Sequence, residues 1–558
     1  VKSPKRAGVH VTVQQTFNLD NLSNILKSFL FHRFFNPFWR LFGVFAKRLS
    51  ARSPLVWLSF LLFSLPFQSA GTLAKQPDVV VILADDIGLG DISYYTENLL
   101  AKKPVVRTAN IDALAQQGVW VNDAHSATAL CAPTRFSVMT GKNNYRSESP
   151  WGVWGSFQQN VIAPNTPTLG NVMRQAGYKT GFVGKWHLGG DFLRKSAKDV
   201  FRGSDEGFLA DVDLSVMVAG GPNDLGFDYS YMLPDGIQGP LYLAYENQRW
   251  APLSRASSII HVNESTASDV KTISDKGDGM GDSAWQTSKI GDVLSSQAVE
   301  FIQGQAKDQP IFLYYASPMA HLPHMPPAYF DGEKVAGSTP SAHLDMIHEL
   351  DLQVKRIVAA LKSTGRYNDT LIIFTSDNGG LAYRIPGTLE AGHRSSGQYR
   401  GSKNSAYEGG HRVPFIVSWP SKLSKGVQLT SAVLVQDILA TIAAAAGAPI
   451  DSKATTDSKN LLPLLTSASE EERDFMMLQG GSNNELIYRQ GDWKLIMQSD
   501  RKISKFEPIA LFDLSHNPQE HESKNLLKSP KHQNRIKQML KSYKHIRQSG
   551  MATVSTGH

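Results

Sequence analysis

Asp85-Asp86 follow directly on the apolar run Asp78-Val-Val-Val-Ile-Leu-Ala84, and Asp377-Asn378 stand just past a second, Thr370-Leu-Ile-Ile-Phe-Thr375. Adjacent carboxylates repel, and burying them demands a cation. Three carboxylates and an amide oxygen form an all-oxygen donor set. That set suits a hard ion, Ca²⁺ with Mg²⁺ as the alternative, and not zinc. Singly, such pairs also make turns and helix caps; two of them at the ends of apolar runs are more informative. A third group surrounds the sole cysteine, Leu130-Cys131-Ala132-Pro133-Thr134-Arg135, and runs on to Thr140-Gly141. A lone cysteine is commonly a small core hydrophobe. This one opens a helix-like run with an arginine four residues on, a setting that favours an anion and an activated group.

The elements that must hold these groups form an alternating pattern. Asp78–Ala84, Thr370–Thr375 and Pro310–Tyr315 read as strands buried on both faces, and Thr180–Gly184 as a shorter one. Between them, 110–117, 168–176 and 341–363 show helical spacing and end at or near glycines. This predicts an α/β fold with a large mixed, mostly parallel sheet flanked by helices, where sites form at the carboxyl ends of strands. Residues 262–285 read as a polar surface excursion, and 430–446 as an Ala-rich helix stopped by Gly447. Short strand-like runs at 485–488, 493–497 and 510–514, then a helical tail from 533 to 548, predict a small C-terminal α+β subdomain. Its lysines and arginines read as a solvated helix face.

The chain has 558 residues with a formal charge of +7, but residues 1–70 hold nine Lys/Arg against one acid. The remainder is close to neutral, which removes the charge argument for nucleic acid. One cysteine excludes a disulfide framework and Cys-based zinc or iron–sulfur sites. Residues 44–70 read as a secretory signal peptide: Lys47, Arg48 and Arg52, an apolar stretch from Pro54 to Phe67, then small-residue cleavage sites at 68–70 and 72–74. The first methionine is Met139, so a start at Val44 or Leu41 leaves 1–43 as an over-extended or leader segment. A periplasmic or secreted protein is expected, without an integral membrane span after signal cleavage.

Cys131-Ala-Pro133-Thr-Arg135 with Thr140-Gly141 closely resembles the C-x-P-x-R motif of the type I, formylglycine-dependent sulfatases, relatives of alkaline phosphatase. Gly184-Lys185-Trp-His187-Leu-Gly189 resembles that family's second motif. Asp85-Asp86 and Asp377-Asn378 match its calcium ligands, and Tyr314–His321 its strand-to-histidine segment. Lys403 matches its late lysine, and Leu511–Leu514 with Asn517-Pro518 its C-terminal subdomain. The similarity spans about 77–530, with a catalytic domain at 77–448 and a C-terminal subdomain, antiparallel sheet plus terminal helix, at 449–558. Thr134 departs from the usual serine or alanine; Cys131, Pro133 and Arg135 do not.

The resemblance implies that a maturation system converts Cys131 to formylglycine. Its hydrate would place one oxygen on the cation, held by Asp85, Asp86, Asp377, Asn378 and residue 131, and use the other as nucleophile. Asp377 would help deprotonate it, and Arg135 would hold the diol and a neighbouring carboxylate. Lys185 and Lys403 would neutralise sulfate oxygens, His321 would protonate the leaving oxygen, and His187 would help expel sulfate. His324 is a second candidate for the acid; His125 and His411 are candidates to line the site. The implied substrate is an aryl sulfate or a sulfated glycan. Phe227, Tyr229, Tyr231, Tyr242, Tyr245 and Trp250 suit sugar stacking or core packing equally. The competing functions are a formylglycine-dependent phosphonate or phosphate ester hydrolase and a non-catalytic glycan-binding relative. Asn263 and Asn368 fit the glycosylation pattern, which matters only in a eukaryotic secretory route.

Overall fold

Strand β1 (Asp78–Ala84) is buried along its whole length and lies at the middle of a ten-stranded sheet. The structure is a computed structural model and describes residues 75–549 apart from 148, 204–210, 382–384, 452–454, 468–472 and 482. The expected signal peptide and leader lie outside the described residues. The other strands are β2 (Val119–Val121), β3 (Lys179–Lys185), β4 (Tyr229–Leu233), β5 (Tyr245–Glu246), β6 (Arg249–Trp250), β7 (Ile311–Ala316), β8 (Thr370–Ser376), β9 (Phe415–Ser418) and β10 (Val427–Leu429). Their order is β10-β2-β9-β8-β1-β7-β3-β4-β5-β6. The central five, β8-β1-β7-β3-β4, are parallel; β9 and β5 each enter antiparallel. This is the expected α/β architecture.

Alternation explains why β1 is apolar throughout. Val79, Val81 and Leu83 face one core; Val80, Ile82 and Ala84 face the other. Each fully buried Val, Leu or Ile contributes about 1.5–3 kcal/mol. Helices α2 (Cys131–Thr140), α3 (Leu169–Gln175) and α6 (Asp437–Ala446) cover the first face. Helices α1 (Ala109–Gln117), α4 (Ile290–Gln303) and α5 (Ala342–Ser363) cover the second.

Two expectations change. The helix expected from 430 begins only at Asp437. Val433–Leu434 instead pair in parallel with Ala124–His125, and the Asp437 carboxylate accepts the Leu434 amide at 2.8 Å. Val433 and Leu434 are buried in this pairing, where a β-branched residue suits extended backbone, and the alanines keep their helix from Asp437. The polar segment 262–285 is anchored as well as excursive: Gly279–Asp282 pairs antiparallel with Ile259–Val262 and parallel with Leu241–Tyr242.

The C-terminal sheet has four antiparallel strands, β11 (Met476–Gln479), β12 (Glu485–Gln490), β13 (Trp493–Ser499) and β14 (Phe506–Asp513). β11 was not legible in the sequence. Ile536, Met539, Tyr543 and Ile546 of helix α7 (Gln533–Ser549) pack on one face, and the other face meets Ala406 and Leu434 of the larger body. Among the described residues no helix is long and apolar enough to cross a membrane.

Candidate active site

The carboxyl ends of β1, β3, β7 and β8 lie side by side, and each delivers chemistry. β1 runs into Asp85-Asp86, β3 ends at Lys185, β7 leads to His321 and β8 into Asp377-Asn378. The N-terminus of α2 brings Cys131. Pro133 fits its first turn, where amides have no helical partner. Arg135, four residues after Cys131, falls on the same helix face. Gly141, at φ +67°, closes the helix in the left-handed conformation that glycine tolerates. The Thr134 hydroxyl bonds the Thr128 carbonyl at 2.9 Å, so this departure from the usual motif is absorbed within the helix's own N-terminal loop. Asp86 and His187 both take positive φ, +62° and +58°. Such backbones cost about 1–3 kcal/mol and persist where surrounding contacts over-determine them. Here Asp86 N donates to Asp377 Oδ1 at 3.3 Å and His187 N to Pro234 O at 2.8 Å.

Three cations are threaded among the three carboxylates. Arg135 donates Nε and Nη2 to Asp377 Oδ2 at 3.0 and 2.7 Å, Nη2 to Asp85 Oδ2 at 3.2 Å and Nη1 to the Lys185 carbonyl at 3.0 Å. Lys185 Nζ reaches Asp85 Oδ2 at 2.6 Å, and Lys403 Nζ reaches Asp86 at 2.7 Å. The set still has acceptor capacity to spare. Asp85 Oδ1 and Asn378 Oδ1 are enclosed without a partner, although the Asn378 amide NH₂ donates to Asp86 Oδ1 at 2.8 Å. Burial and the neighbouring Asp85 push the Asp377 carboxyl up to about 7, against the pull of Arg135. Burial also raises Asp86, whereas for Asp85 the charges of Lys185 and Arg135 overcome burial and hold it below the usual carboxylate range. The unmatched oxygens of Asp85 and Asn378 fit a hard dication. Ligand atoms of Asp85, Asp86 and His321 lie within 4.8 Å of one another.

A second buried group, His125, Glu408 and His411, has the same compactness and the opposite character. His125 Nδ1 meets His411 Nδ1 at 2.9 Å and its Nε2 meets Asp123 at 2.8 Å; His411 Nε2 meets Lys494 Nζ at 3.0 Å. Glu408 accepts from Lys494 at 2.9 Å and from Arg412 at 2.7 Å. Its donors are already occupied by cations, so it makes a poor metal site. His125 and His411 therefore do not line the catalytic pocket. They belong to an ion-pair network that ties the C-terminal sheet to the body.

The pocket is a cavity of about 870 Å³ whose lining includes Cys131, His187, His321, Lys403 and Asp86. Cys131 Sγ lies 3.5 Å from His187 Nδ1. Burial pushes the Cys131 thiol up despite Lys185 and Lys403, so it is a protonated thiol and not the activated anion that the helix N-terminus and Arg135 suggested. Arg135 turns to Asp377 and Asp85 instead. His321 directs Nδ1 at the Leu322 carbonyl, 2.8 Å, leaving Nε2 3.9 Å from Asp86. His187 and His321 are held well below the usual histidine range, first by burial and then by adjacent lysines. His324 turns away to pack against His343, ring centroids 5.0 Å apart and planes tilted by 52°.

The aromatic residues of 226–250 serve the core. Phe227 stacks on Phe312 and Tyr229 on Phe301, and Tyr242 and Tyr245 are fully buried; among the described residues none of the six lines the pocket. The lining is mixed instead: Gln158, Gln238, Asp275, Lys276 and Asn404 stand with Val153, Pro240, Leu322 and Leu381. Sequence reasoning passed over these residues. The available signal for Gln238 was its place in the loop after a parallel strand, where such sheets build sites.

Residues 77–448 match the Sulfatase family model, and residues 400–549 match that of the N-sulphoglucosamine sulphohydrolase C-terminal region. An N-acetylgalactosamine-6-O-sulfatase of Bacteroides thetaiotaomicron is 30% identical over 81% of this chain and 90% of its own. The rat (Rattus norvegicus) steryl-sulfatase is 29% identical over 75% of each. A solved structure from work on the metabolism of multiple glycosaminoglycans by Bacteroides thetaiotaomicron superposes with a TM-score of 0.71 at 28% identity, covering 85% of this chain and 100% of its own. The shared architecture, the strand-end constellation and a family match across two thirds of the sequence lead to one conclusion: the chain belongs to the Sulfatase family and is a sulfuric ester hydrolase.

Proposed function

We propose that the protein hydrolyses sulfate esters of sugars, using Cys131 after conversion to formylglycine, and that it works outside the cytoplasm after export. The observation that carries the chemistry is the pair of unpartnered oxygens, Asp85 Oδ1 and Asn378 Oδ1, beside a protonated Cys131. A neutral thiol is a poor ligand for a hard cation, whereas a hydrated aldehyde offers oxygen. Asp85, Asp86, Asp377 and Asn378 hold calcium in this reading. Bound there, the cation supplies Lewis acidity toward the sulfate and the aldehyde hydrate at residue 131 supplies the nucleophilic oxygen.

The chain's own residues do the rest. Arg135 holds Asp377 and Asp85 through its guanidinium, and Lys403, at the cavity wall, neutralises sulfate oxygens as negative charge develops. Lys185 acts from beneath, through its charge and its hold on Asp85. His187 Nδ1 accepts a proton on the residue 131 side. His321 Nε2 delivers one to the departing ester oxygen; a bound anion beside it offsets the repulsion from Lys403 and Lys185 that keeps the empty-site imidazole neutral. Polar residues in the lining, Gln158, Gln238 and Asn404 among them, support a sugar as the leaving group, and a relative named for N-acetylgalactosamine 6-sulfate supports the same choice.

The test is turnover by matured enzyme on matched sulfate, phosphate and phosphonate esters. A sulfate preference of at least about tenfold in kcat/KM supports the proposal. Preference for phosphonate moves the protein to the phosphonate hydrolase reading, and absence of turnover with residue 131 fully converted moves it to a glycan-binding relative.

A further inference from the structure

The charged groups that the reaction uses are paired, but two acceptors elsewhere on the lining have no hydrogen-bond partner. Gln238 is only 2% exposed and lines the cavity, and its Oε1 is enclosed without a hydrogen-bond partner. Asp275, half-buried on the 262–285 segment, lines the same cavity, and its Oδ2 is enclosed without a partner too. An enclosed acceptor left without a donor is unfavourable, and folded proteins rarely keep one without reason. Here two of them belong to side chains that line one volume from two different segments.

Both are held in place by paired backbone. Gln238 leads into Leu241–Tyr242, which pairs with Met280–Gly281 a few residues beyond Asp275. The Tyr242 hydroxyl donates to the Gly277 carbonyl at 2.8 Å, two residues from Asp275. Gln238 also sits beside the reaction centre: a Cβ on Gly236 would meet both Gln238 Oε1 and the Lys185 side chain at 2.8 Å. The two acceptors are thus fixed next to the place where a sulfated ring must lie.

We propose that Gln238 and Asp275 form a specificity subsite that accepts hydrogen bonds from hydroxyl or amide N–H donors of the sugar carrying the sulfate. A sugar ring brings several such donors, whereas a nitrophenyl group or the hydrocarbon body of a sterol brings none. The subsite therefore separates substrates by what they donate and leaves the sulfate chemistry to the inner residues. This inference rests on the sulfate ester reading and adds the two residues that read the leaving group.

The experiment uses the full matured chain, the variants Gln238→Met, Gln238→Glu and Asp275→Ala, a panel of hexose and hexosamine sulfates with their monodeoxy analogues, and 4-nitrophenyl sulfate. Gln238→Met keeps the length and removes the acceptor; it should lower kcat/KM on the best sugar sulfate by about tenfold or more. Turnover of 4-nitrophenyl sulfate should stay within about twofold, and Gln238→Glu, which keeps an acceptor, should recover part of the loss. The deoxy analogue that slows the wild type should slow Gln238→Met no further, since the contact is already gone. If Gln238→Met fails to fold, the half-buried Asp275→Ala and the wild-type deoxy series decide. Equal losses on both substrate types, or deoxy effects that persist in the variants, overturn the subsite. Turnover of 4-nitrophenyl sulfate with no sugar sulfate accepted overturns it while leaving the sulfate ester reading intact; turnover of neither overturns both.

Discussion

Cys131 Sγ and His187 Nδ1 lie 3.5 Å apart, although one opens a helix and the other follows a strand more than fifty residues later. The imidazole is neutral there because it is buried beside Lys185 and Arg135, so it can accept a proton from the group at position 131. His187→Ala should lower turnover by about 10²–10⁴-fold. The extent of residue 131 conversion, read by peptide mass spectrometry, should stay at the wild-type level. Loss of conversion in step with activity would make His187 a maturation determinant instead.

Asp86 links the cation site to the cavity through Lys403 at 2.7 Å and Asn378 at 2.8 Å. Asp86→Ala removes a hard ligand and leaves Lys403 without its partner. Elemental analysis of the purified variant should show stoichiometric calcium lost together with activity. Unchanged calcium affinity would reassign the ligands.

Glu349, on α5 beneath β7, gives the fold a pH dependence separate from catalysis. Its Oε1 accepts from Gln353 at 3.2 Å and its Oε2 is enclosed without a partner. Burial raises its carboxyl from 4.5 to about 8, so the folded protein prefers it protonated. That stabilisation is complete below pH 4.5, falls by about 1.4 kcal/mol per unit as pH rises, and is gone above about pH 8. Glu349→Gln should flatten this slope. The wild type should lose several degrees of melting temperature between pH 5 and 8.5 that the variant keeps, with kcat/KM unchanged. Identical slopes would show that Glu349 is ionised in the fold.

In the proposed reaction His321 protonates the leaving oxygen. A nitrophenolate departs without help, whereas a sugar alkoxide does not. His321→Ala should therefore slow sugar sulfates about 10²–10⁴-fold and aryl sulfates far less. Equal losses on both would place His321 in sulfate binding. His324, packed against His343, should show no such asymmetry.

Much of this was legible before any coordinates, because buried parallel strands announce themselves. The apolar runs at 78–84 and 370–375 could only be central, so their following acids had to share one sheet edge. The late lysine, Lys403, was found through motif resemblance; nothing in its own neighbourhood marks it. What the sequence hid were relationships made by distance. His125 and His411 are claimed by Arg489 and Lys494 from the C-terminal sheet, 364 and 83 residues further along the chain. The aromatic residues of 226–250 pack inward because their strand pairs with β3 and their rings meet Phe301 and Phe312. Gln238 and Asp275 become a pair only through the Leu241–Tyr242 and Gly279–Asp282 pairing, a register no local pattern reveals.

The central claim is that residue 131 acts as an aldehyde hydrate and not as a thiol. The direct measurement is peptide mass spectrometry of residue 131 on preparations matured to different extents, each assayed for sulfate ester turnover. Activity per molecule should rise in proportion to the fraction of aldehyde and extrapolate to zero for the pure thiol form. Full turnover by protein carrying only the Cys131 thiol would contradict it.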